Sequence, residues 1–479
     1  MKILFYNWVP FDDKHHRGGG VAFYLHDLIG RFCEDPQYEC TFLSSGLEYT
    51  IDGKLRIEKT QNCNTENVAS FQIVNSPVHA PACMQFADLQ TYLNDTALLE
   101  LLDAFWEEQG GFDVVHFHNL EGLSLPVLKL KDRHPDAKFY FSLHNYFLFC
   151  PQVNLWTNTG DNCYRSPSFP QCSKCIVTAN TKVEELIAST KSFLNSASDL
   201  SNTRLYTILK KAANTLRRMS IQKRQTGQGT IDRQGGNCNI YSEYREKNIR
   251  YANQYFDLIF AVSRQTSEIA QSYGICADKI RVDYIGTLAA SKRNPPKGYS
   301  HDFLHVGFLG YARKDKGFDL LLEAFSLISP QAASKMDILL AAKCETQEQY
   351  QKYSERLKTL LHSFHSFRFM NGYDKSEQGR LLSEIDLGVI PSLWEDNLPQ
   401  VAIEYIASGI PIVASDAGGT KELCTNSDFV YSSKSAAELS RKLEKYALCP
   451  EKLSDFWLEM PKLMSIEDHV QNLQQYYRQ

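Results

Sequence analysis

Pro391-Ser-Leu-Trp-Glu-Asp-Asn-Leu-Pro-Gln-Val-Ala-Ile-Glu404, continued by Tyr405 to Gly419, reads as the end of a strand, an acidic loop, a helix, a second strand and a Gly-Gly loop. Leu387-Gly-Val-Ile-Pro391 is a short apolar run closed by a proline, and Trp394 to Asn397 is polar. Asn397 is expected to cap the helix that follows, with Pro399 in its first turn, where amide donors have no helical acceptor anyway. Gly409 is expected to stop that helix, Ile410-Pro-Ile-Val-Ala414 reads as a buried strand, and Gly418-Gly419 as a flexible loop. Asp396 then lies just before a helix N-terminus, with Glu404 about two turns along the helix. Free amides at such an end favour an anion, so the stretch predicts a phosphate site flanked by carboxylates.

The rest of the chain must supply the other half of any such site. At 479 residues it exceeds one ordinary core, and two or three domains are expected. A hydrophobic content of 43% with 22% charged residues describes a soluble globular protein. The net charge of −5 gives no reason to expect a nucleic-acid partner, and no run of eighteen apolar residues offers a membrane span. Met1-Lys-Ile-Leu-Phe-Tyr-Asn lacks a small-residue cleavage site and reads as a first strand rather than a leader peptide. Thirteen cysteines spread along a large chain suit a reducing cytoplasm better than a disulfide framework.

Lys2 to Trp8 reads as that strand, followed by Gly18-Gly19-Gly20 and then Ala22, Leu25, Leu28, Ile29 and Phe32 at helical spacing. Strand, glycine loop and helix bring backbone amides close to a phosphate, although three glycines alone serve equally well as a turn. Phe112–His118, Phe139–Asn145, Phe256–Ser263 and Lys279–Gly286 read as further strands, with helices at Gly122–Asp132 and Arg264–Tyr273. Residues 287–302 read as a linker. A second unit runs through strands at Phe303–Gly310, Met336–Ala342 and Phe367–Asn371, with a basic loop, Tyr311 to Gly317, feeding a helix at Phe318–Leu327. The last segment, Ile466 to Tyr477, is helical. Alternating strands and helices predict doubly wound parallel sheets, whose ligands gather at strand carboxyl ends. His116, His118 and His144 fall at such ends. One histidine there is usually structural, while three favour a site.

Between these units the pattern breaks. Cys150, Cys163, Cys172 and Cys175, the last two as Cys-Ser-Lys-Cys, have the look of a small structural zinc site, with free thiols or a disulfide as the alternatives. Residues 180–249 form a polar, partly helical insert. Leu205 to Arg224 carries apolar residues at helical spacing with six basic residues between them. That pattern fits a helix resting on an anionic membrane surface and equally a docked helix with a solvated basic face.

Taken in order, the motifs resemble glycosyltransferase family 4 over nearly the whole length apart from residues 180–240. They are Gly18-Gly19-Gly20, the strand ending at His118, Leu143-His144-Asn145, Ala261-Val262-Ser263, Gly310 to Lys316-Gly317, Asp396 to Glu404, Ser408-Gly409-Ile-Pro-Ile-Val-Ala-Ser415 and Gly418-Gly419. The Cys-rich loop after His144-Asn145 resembles a subgroup of that family. The resemblance implies a GT-B architecture: an N-terminal Rossmann-like acceptor-side domain at 1–290, with the Cys-rich loop at 150–175 and the insert, facing a donor-nucleotide domain at 303–460. The C-terminal helix, 466–479, would pack back on the first domain.

The resemblance further implies transfer of a sugar from a nucleoside-diphosphate sugar to a glycan or lipid-linked acceptor with retention of configuration. Glu404 would hold the nucleotide ribose, and Asp396, with seven residues between the two, would face the donor sugar. Asn397 and Leu398 would offer amides to the sugar or diphosphate, Lys316 would neutralise the diphosphate, Gly19 and Gly20 would lie across the reacting sugar, His144 would sit near it, and His118 would be among the substrate-binding residues. Two departures stand out. Asp396 replaces the usual glutamate, with Glu395 one residue early, and Tyr311 stands where an arginine is usual, leaving Arg313 to supply that charge. No cofactor is needed for catalysis if these cations suffice, and no Asp-x-Asp motif suggests a metal holder. The expected setting is surface polysaccharide or glycolipid assembly in the cytoplasm, peripheral to the inner face of the membrane through 205–224. The alternative is a catalytically lapsed protein that binds a nucleotide sugar on the same fold.

Overall fold

The computed structural model describes residues 1–13, 17–60, 68–81, 89–163, 172–175, 189–190, 239–299 and 302–479. The basic segment 205–224 and most of the 180–249 insert lie outside them. Fourteen strands build two sheets among the described residues. The first contains β1 (Lys2–Tyr6), β2 (Glu39–Glu48), β3 (Arg56–Lys59), β4 (Val68–Val74), β5 (Val114–Phe117), β6 (Lys138–Leu143), β7 (Leu258–Ala261) and β8 (Ile280–Val282), in the order β3-β4-β2-β1-β5-β6-β7-β8. Only edge strand β3 runs antiparallel to its neighbour. The second contains β9 (Leu304–Tyr311), β10 (Met336–Lys343), β11 (Ser366–Met370), β12 (Leu387–Ile390), β13 (Ile412–Ser415) and β14 (Val430–Tyr431), all parallel, in the order β11-β10-β9-β12-β13-β14.

Strands covered on both faces by helices must be apolar along their whole length, and β12 and β13 are buried at every residue. In each sheet the strand order reverses beside the unit's first strand, β1 or β9. Helices leaving those two switch points carry the segments that matter for function: α1 (Gly19–Cys33) after β1 and α3 (Phe318–Ser326) after β9, with α2 (Arg264–Ser272) after β7, α4 (Gln400–Ala407) after β12 and α5 (Ile466–Tyr477) at the C-terminus.

Helix α5 begins with Ser465, whose hydroxyl accepts from the Asp468 amide, and buries Ile466, His469, Val470, Leu473 and Tyr477 along one stripe. It packs on α1 of the first domain, with Tyr140 Oη donating to the Tyr476 carbonyl at 2.6 Å and Arg478 to Tyr38 Oη at 2.8 Å. Each fully buried aliphatic or aromatic side chain of this stripe contributes about 1.5–3 kcal/mol of transfer free energy, so the last turns of the chain staple onto its first helix. A second clasp joins the domains at α2. The Glu422 carboxylate accepts from the Arg264 and Gln265 amides at 3.0 and 2.9 Å, which places an anion from one domain at the start of a helix in the other.

Several expectations need correction. Between Cys33 and Gly111, where periodicity placed no element, the structure has β2, β3, β4 and helices at Leu89–Asn94 and Ala97–Glu108. The helix expected at Gly122–Asp132 is a 3₁₀ turn, Leu125–Lys129, continued by a short α-helix, Leu130–Arg133. Residues 418–423 are a buried 3₁₀ turn rather than a flexible loop.

Candidate active site

A cleft of about 1110 Å³ separates the carboxyl ends of the two sheets. Gly19, Gly20, Phe23 and His144 line it from the first domain, and Tyr311, Lys316, Lys375, Trp394, Asp396, Asn397, Leu398, Gln400 and Glu404 from the second.

The loop after β9 is set by Gly317, whose φ is +72° and whose Cβ, if it had one, would lie 1.7 Å from the Pro391 carbonyl. Glycine alone permits that approach, and it brings Lys316 over the acidic loop. The Lys316 ammonium is 2.5 Å from Asp396 Oδ2 and 4.9 Å from the Trp394 ring centre. Arg313 takes another course. Its guanidinium is bidentate on Asp315, at 2.9 and 2.6 Å, and lies outside the cleft lining, so it does not supply the charge expected of it there. The Asp315 carbonyl in turn accepts from the Leu393 and Trp394 amides, which makes this pair part of the scaffold under the acidic loop.

Glu395 and Asp396 are both nine-tenths or more buried but face different ways. Glu395 turns into the protein and accepts from the Gly418 amide at 2.9 Å. The Asp396 side chain faces the cleft, and its carbonyl accepts from Gly419 at 2.8 Å. Gly418 has φ +66°, and a Cβ there would lie 2.1 Å from the Asp396 carbonyl oxygen. The Gly-Gly turn is therefore the mould in which the acidic loop sits.

Helix α4 starts at Gln400, with Pro399 as its N-cap, and Asn397 does not cap it. The Asn397 amide instead donates across the domain boundary to the Leu143 carbonyl and Thr266 Oγ1, both at 3.3 Å. Pro399, directly before Gln400, sets the helix start, which frees Asn397 for this longer reach. Glu404 consequently lies only about one turn into α4. Its carboxylate meets the Lys375 ammonium and the Gln378 side-chain amide, and Lys375 also stands 5.5 Å from the Phe23 ring across the cleft. At the cleft mouth Gln400 Nε2 donates to the Gly20 carbonyl at 2.7 Å.

Behind the glycine-led helix lies a cluster of imidazoles. His118 Nδ1 and His144 Nε2 are 3.0 Å apart, and His116 stacks on His118 with ring centres 4.2 Å apart. Tyr24 of α1 faces His144 and hydrogen-bonds His469 of α5 at 2.7 Å. Burial first, then the charge of His469, pushes His144 down to about 3, and burial with its neighbours pushes His118 well below the ordinary imidazole range. His116, His118 and His144 are therefore neutral at pH 7, and of these three only His144 reaches the cleft. His118, expected among the substrate contacts, is fully buried and stands behind His144 as its support.

Cys150, Cys163, Cys172 and Cys175 are free thiols gathered near Arg245. Arg245 Nη2 is 3.2 Å from Cys172 Sγ. Burial pushes the Cys150 thiol up to about 12 and raises Cys163 and Cys172, against the pull of Arg245 on the last two. Among the described residues no group of three or more His, Cys, Asp or Glu side chains is placed to hold a metal ion.

Sequence reasoning missed Lys375, Gln378, Trp394, Gln400, Tyr24 and His469. Only Trp394 and Gln400, inside the quoted stretch, lay where a signal could have found them. The others reach the site through long-range contacts.

Residues 293–457 match the family described as Glycosyl transferases group 1, and the second domain is a domain of that kind. Spore coat protein SA of Bacillus subtilis (strain 168) is 29% identical over 120 residues, covering 25% of this chain and about a third, 32%, of that protein. Anabaena Alr3699/HepE in complex with UDP and glucose superposes with a TM-score of 0.58 at 13% identity, over 100% of this chain and 99% of that one. Sucrose-phosphate synthase from Thermosynechococcus elongatus gives 0.56 at 13%, over 100% and 98%. The E. coli trehalose-6-phosphate protein bound with UDP-2-fluoro glucose gives 0.56 at 12%, over 100% and 99%. No helix among the described residues is long and apolar enough to cross a membrane. The fold is GT-B: two parallel-sheet domains facing across a cleft.

Proposed function

We propose, from a second domain of the glycosyl transferases group 1 kind, that the protein is a retaining glycosyltransferase of family 4. It would move a hexose from a nucleoside-diphosphate sugar to a glycan or lipid-linked acceptor in surface polysaccharide or glycolipid assembly, at the cytoplasmic side. The observation that carries the reading is the pairing of Lys316 with Asp396, with Glu404 on the next helix, all lining one cleft opposite the glycine start of α1. The UDP and UDP-sugar complexes of the structural relatives make UDP-glucose the first donor to try.

In this reading Glu404 receives the ribose hydroxyls and Lys316 leaves Asp396 for the diphosphate. As the bond from the anomeric carbon to the diphosphate breaks, its electron pair goes to the phosphate oxygen, and Lys316 stabilises the growing charge. The acceptor oxygen attacks from the same face, and its proton passes to the departing phosphate. No carboxylate in the cleft needs to act as nucleophile, in contrast to a retaining glycosidase. Asp396 and His144 would orient the sugar hydroxyls. Closure through Gln400 and Gly20 would exclude water.

Thermal-shift screening against UDP, ADP and GDP and their sugars, followed by donor-turnover assays, tests the proposal. One nucleoside diphosphate should raise the melting temperature by mass action, and its glucose ester should turn over. Binding without turnover across a panel of donors and acceptors would return the lapsed-enzyme alternative, and binding of none would sink both.

A further inference from the structure

We propose that Asn162 is a positioning residue for the acidic loop. It would hold the backbone on both sides of Trp394 from the opposite domain, and so set Asp396 against Lys316. The proposal rests on the donor-site reading above.

Asn162 ends a hairpin that precedes the Cys-rich segment. Trp156 and Asn162 pair as an antiparallel bridge, and Thr157 N donates to the Asp161 carbonyl at 2.8 Å. Cys163 N donates to the Leu155 carbonyl at 2.7 Å. The hairpin belongs to the first domain but lies against three loops of the second. Lys434 meets Asp161 at 2.7 Å, Lys314 Nζ donates to the Thr159 carbonyl at 3.4 Å, and Asn162 meets the acidic loop.

The two lysine contacts are exposed, and contacts of that kind contribute little. Asn162 differs in that both ends of its amide are used. Nδ2 donates to the Leu393 carbonyl at 2.9 Å, and Oδ1 accepts from the Glu395 amide at 3.3 Å. Leu393 and Glu395 are buried. A planar amide engaged at donor and acceptor has one orientation, so it fixes the spacing across Trp394 and hence the direction of the next residue, Asp396. No other side-chain type of this length supplies both groups.

The hairpin is itself aimed by unusual backbone. Val153 and Leu155 have φ of +66° and +50°, a region that β-branched and bulky residues rarely adopt. The Val153 carbonyl accepts from the Tyr146 amide at 2.7 Å, and the Leu155 side chain is fully buried. Such strain persists only where surrounding contacts over-determine it, and it concentrates at functional segments. Here it directs a hairpin of one domain onto the catalytic loop of the other.

The test is amide hydrogen exchange on the full-length protein without nucleotide, with donor kinetics in parallel. In Asn162→Ala, exchange in the peptide covering residues 393–397 should rise at least about tenfold, while β10 exchanges as in the wild type. Asn162→Asp is isosteric. It keeps the acceptor for Glu395 N and sets a carboxylate against the Leu393 carbonyl, so it should leave the Glu395 amide slow. With UDP-glucose, both variants should lose about tenfold in kcat with KM within about threefold, the split expected of misplaced catalytic groups. Unchanged exchange at 393–397 in Asn162→Ala would overturn the proposal, and so would a loss confined to KM. If the wild-type protein turns over no donor, the donor reading fails and the exchange measurement still decides Asn162.

Discussion

Lys375 and Glu404 form an ion pair on the wall of the cleft, and Lys375 at the same time stands against the Phe23 ring of the other domain. A ribose whose hydroxyls donate to Glu404 must exchange with that ammonium. The Lys375 side chain is about half exposed, at 48%, so the pair is worth no more than about 1 kcal/mol. Lys375→Met should therefore bind UDP unchanged or up to about fivefold more tightly by isothermal titration, whereas Glu404→Ala should weaken binding at least tenfold. Weaker binding in Lys375→Met would mean that the lysine contacts the nucleotide directly.

Lys316 answers to a different measurement. In the proposed mechanism its ammonium meets charge that grows during bond cleavage, so Lys316→Ala should lower kcat by about 10²–10³, or roughly 3–4 kcal/mol. UDP affinity should fall by much less. Equal losses in UDP affinity and in turnover would assign Lys316 to binding alone.

The buried imidazoles give stability a pH dependence. Burial lowers His116 and His118 well below their unfolded value of about 6.5, so the folded protein holds them neutral while the unfolded chain takes up protons below that pH. The unfolded state binds more protons, and stability is therefore full above about pH 6.5 and falls as pH drops below it. The slope is up to about 1.4 kcal/mol per pH unit for each ring. Urea midpoints at pH 7.5 and 5.5 should differ accordingly, and His118→Asn should flatten the difference. An identical slope in the variant would show that His118 is not one of the titrating groups.

Glu395 is predicted to act on the loop rather than on the sugar. Glu395→Ala leaves the buried Gly418 amide without its acceptor, at a cost of about 1–3 kcal/mol. Gly418→Ala should cost at least as much, because a Cβ at φ +66° meets the Asp396 carbonyl. Denaturant unfolding measures both. In Glu395→Gln, whose carbonyl still accepts, turnover should be largely retained, and its complete loss would give Glu395 the role assigned to Asp396.

Much of this was readable along the chain. β9 to β13 and α5 fall within a few residues of their apolar runs, because strands covered on both faces and a helix with one buried stripe write their periods into the sequence. The 33–111 region was not readable, because Ser44, Ser45 and Gly46 interrupt the apolar run of β2 although they are buried, and β3 is a partly exposed edge strand. Asn397 was misread for a related reason. Its residue type fits a local cap, but its partners, Leu143 and Thr266, are more than a hundred residues away.

By itself the sequence determined that Lys316 and Asp396 lie on loops that follow strands of one parallel sheet, with Glu404 on the helix after the second loop, since strand period, glycine stops and loop chemistry are local properties. Only the tertiary structure decided which of them act together and what opposes them. It paired Lys316 with Asp396, turned Arg313 and Glu395 into scaffold, set His118 behind His144, and brought Lys375, Gln400 and Asn162 to the site. Those relations, the Arg313–Asp315 pair apart, join separate loops of one domain or of the two domains, and no spacing along a chain encodes which loops meet in space.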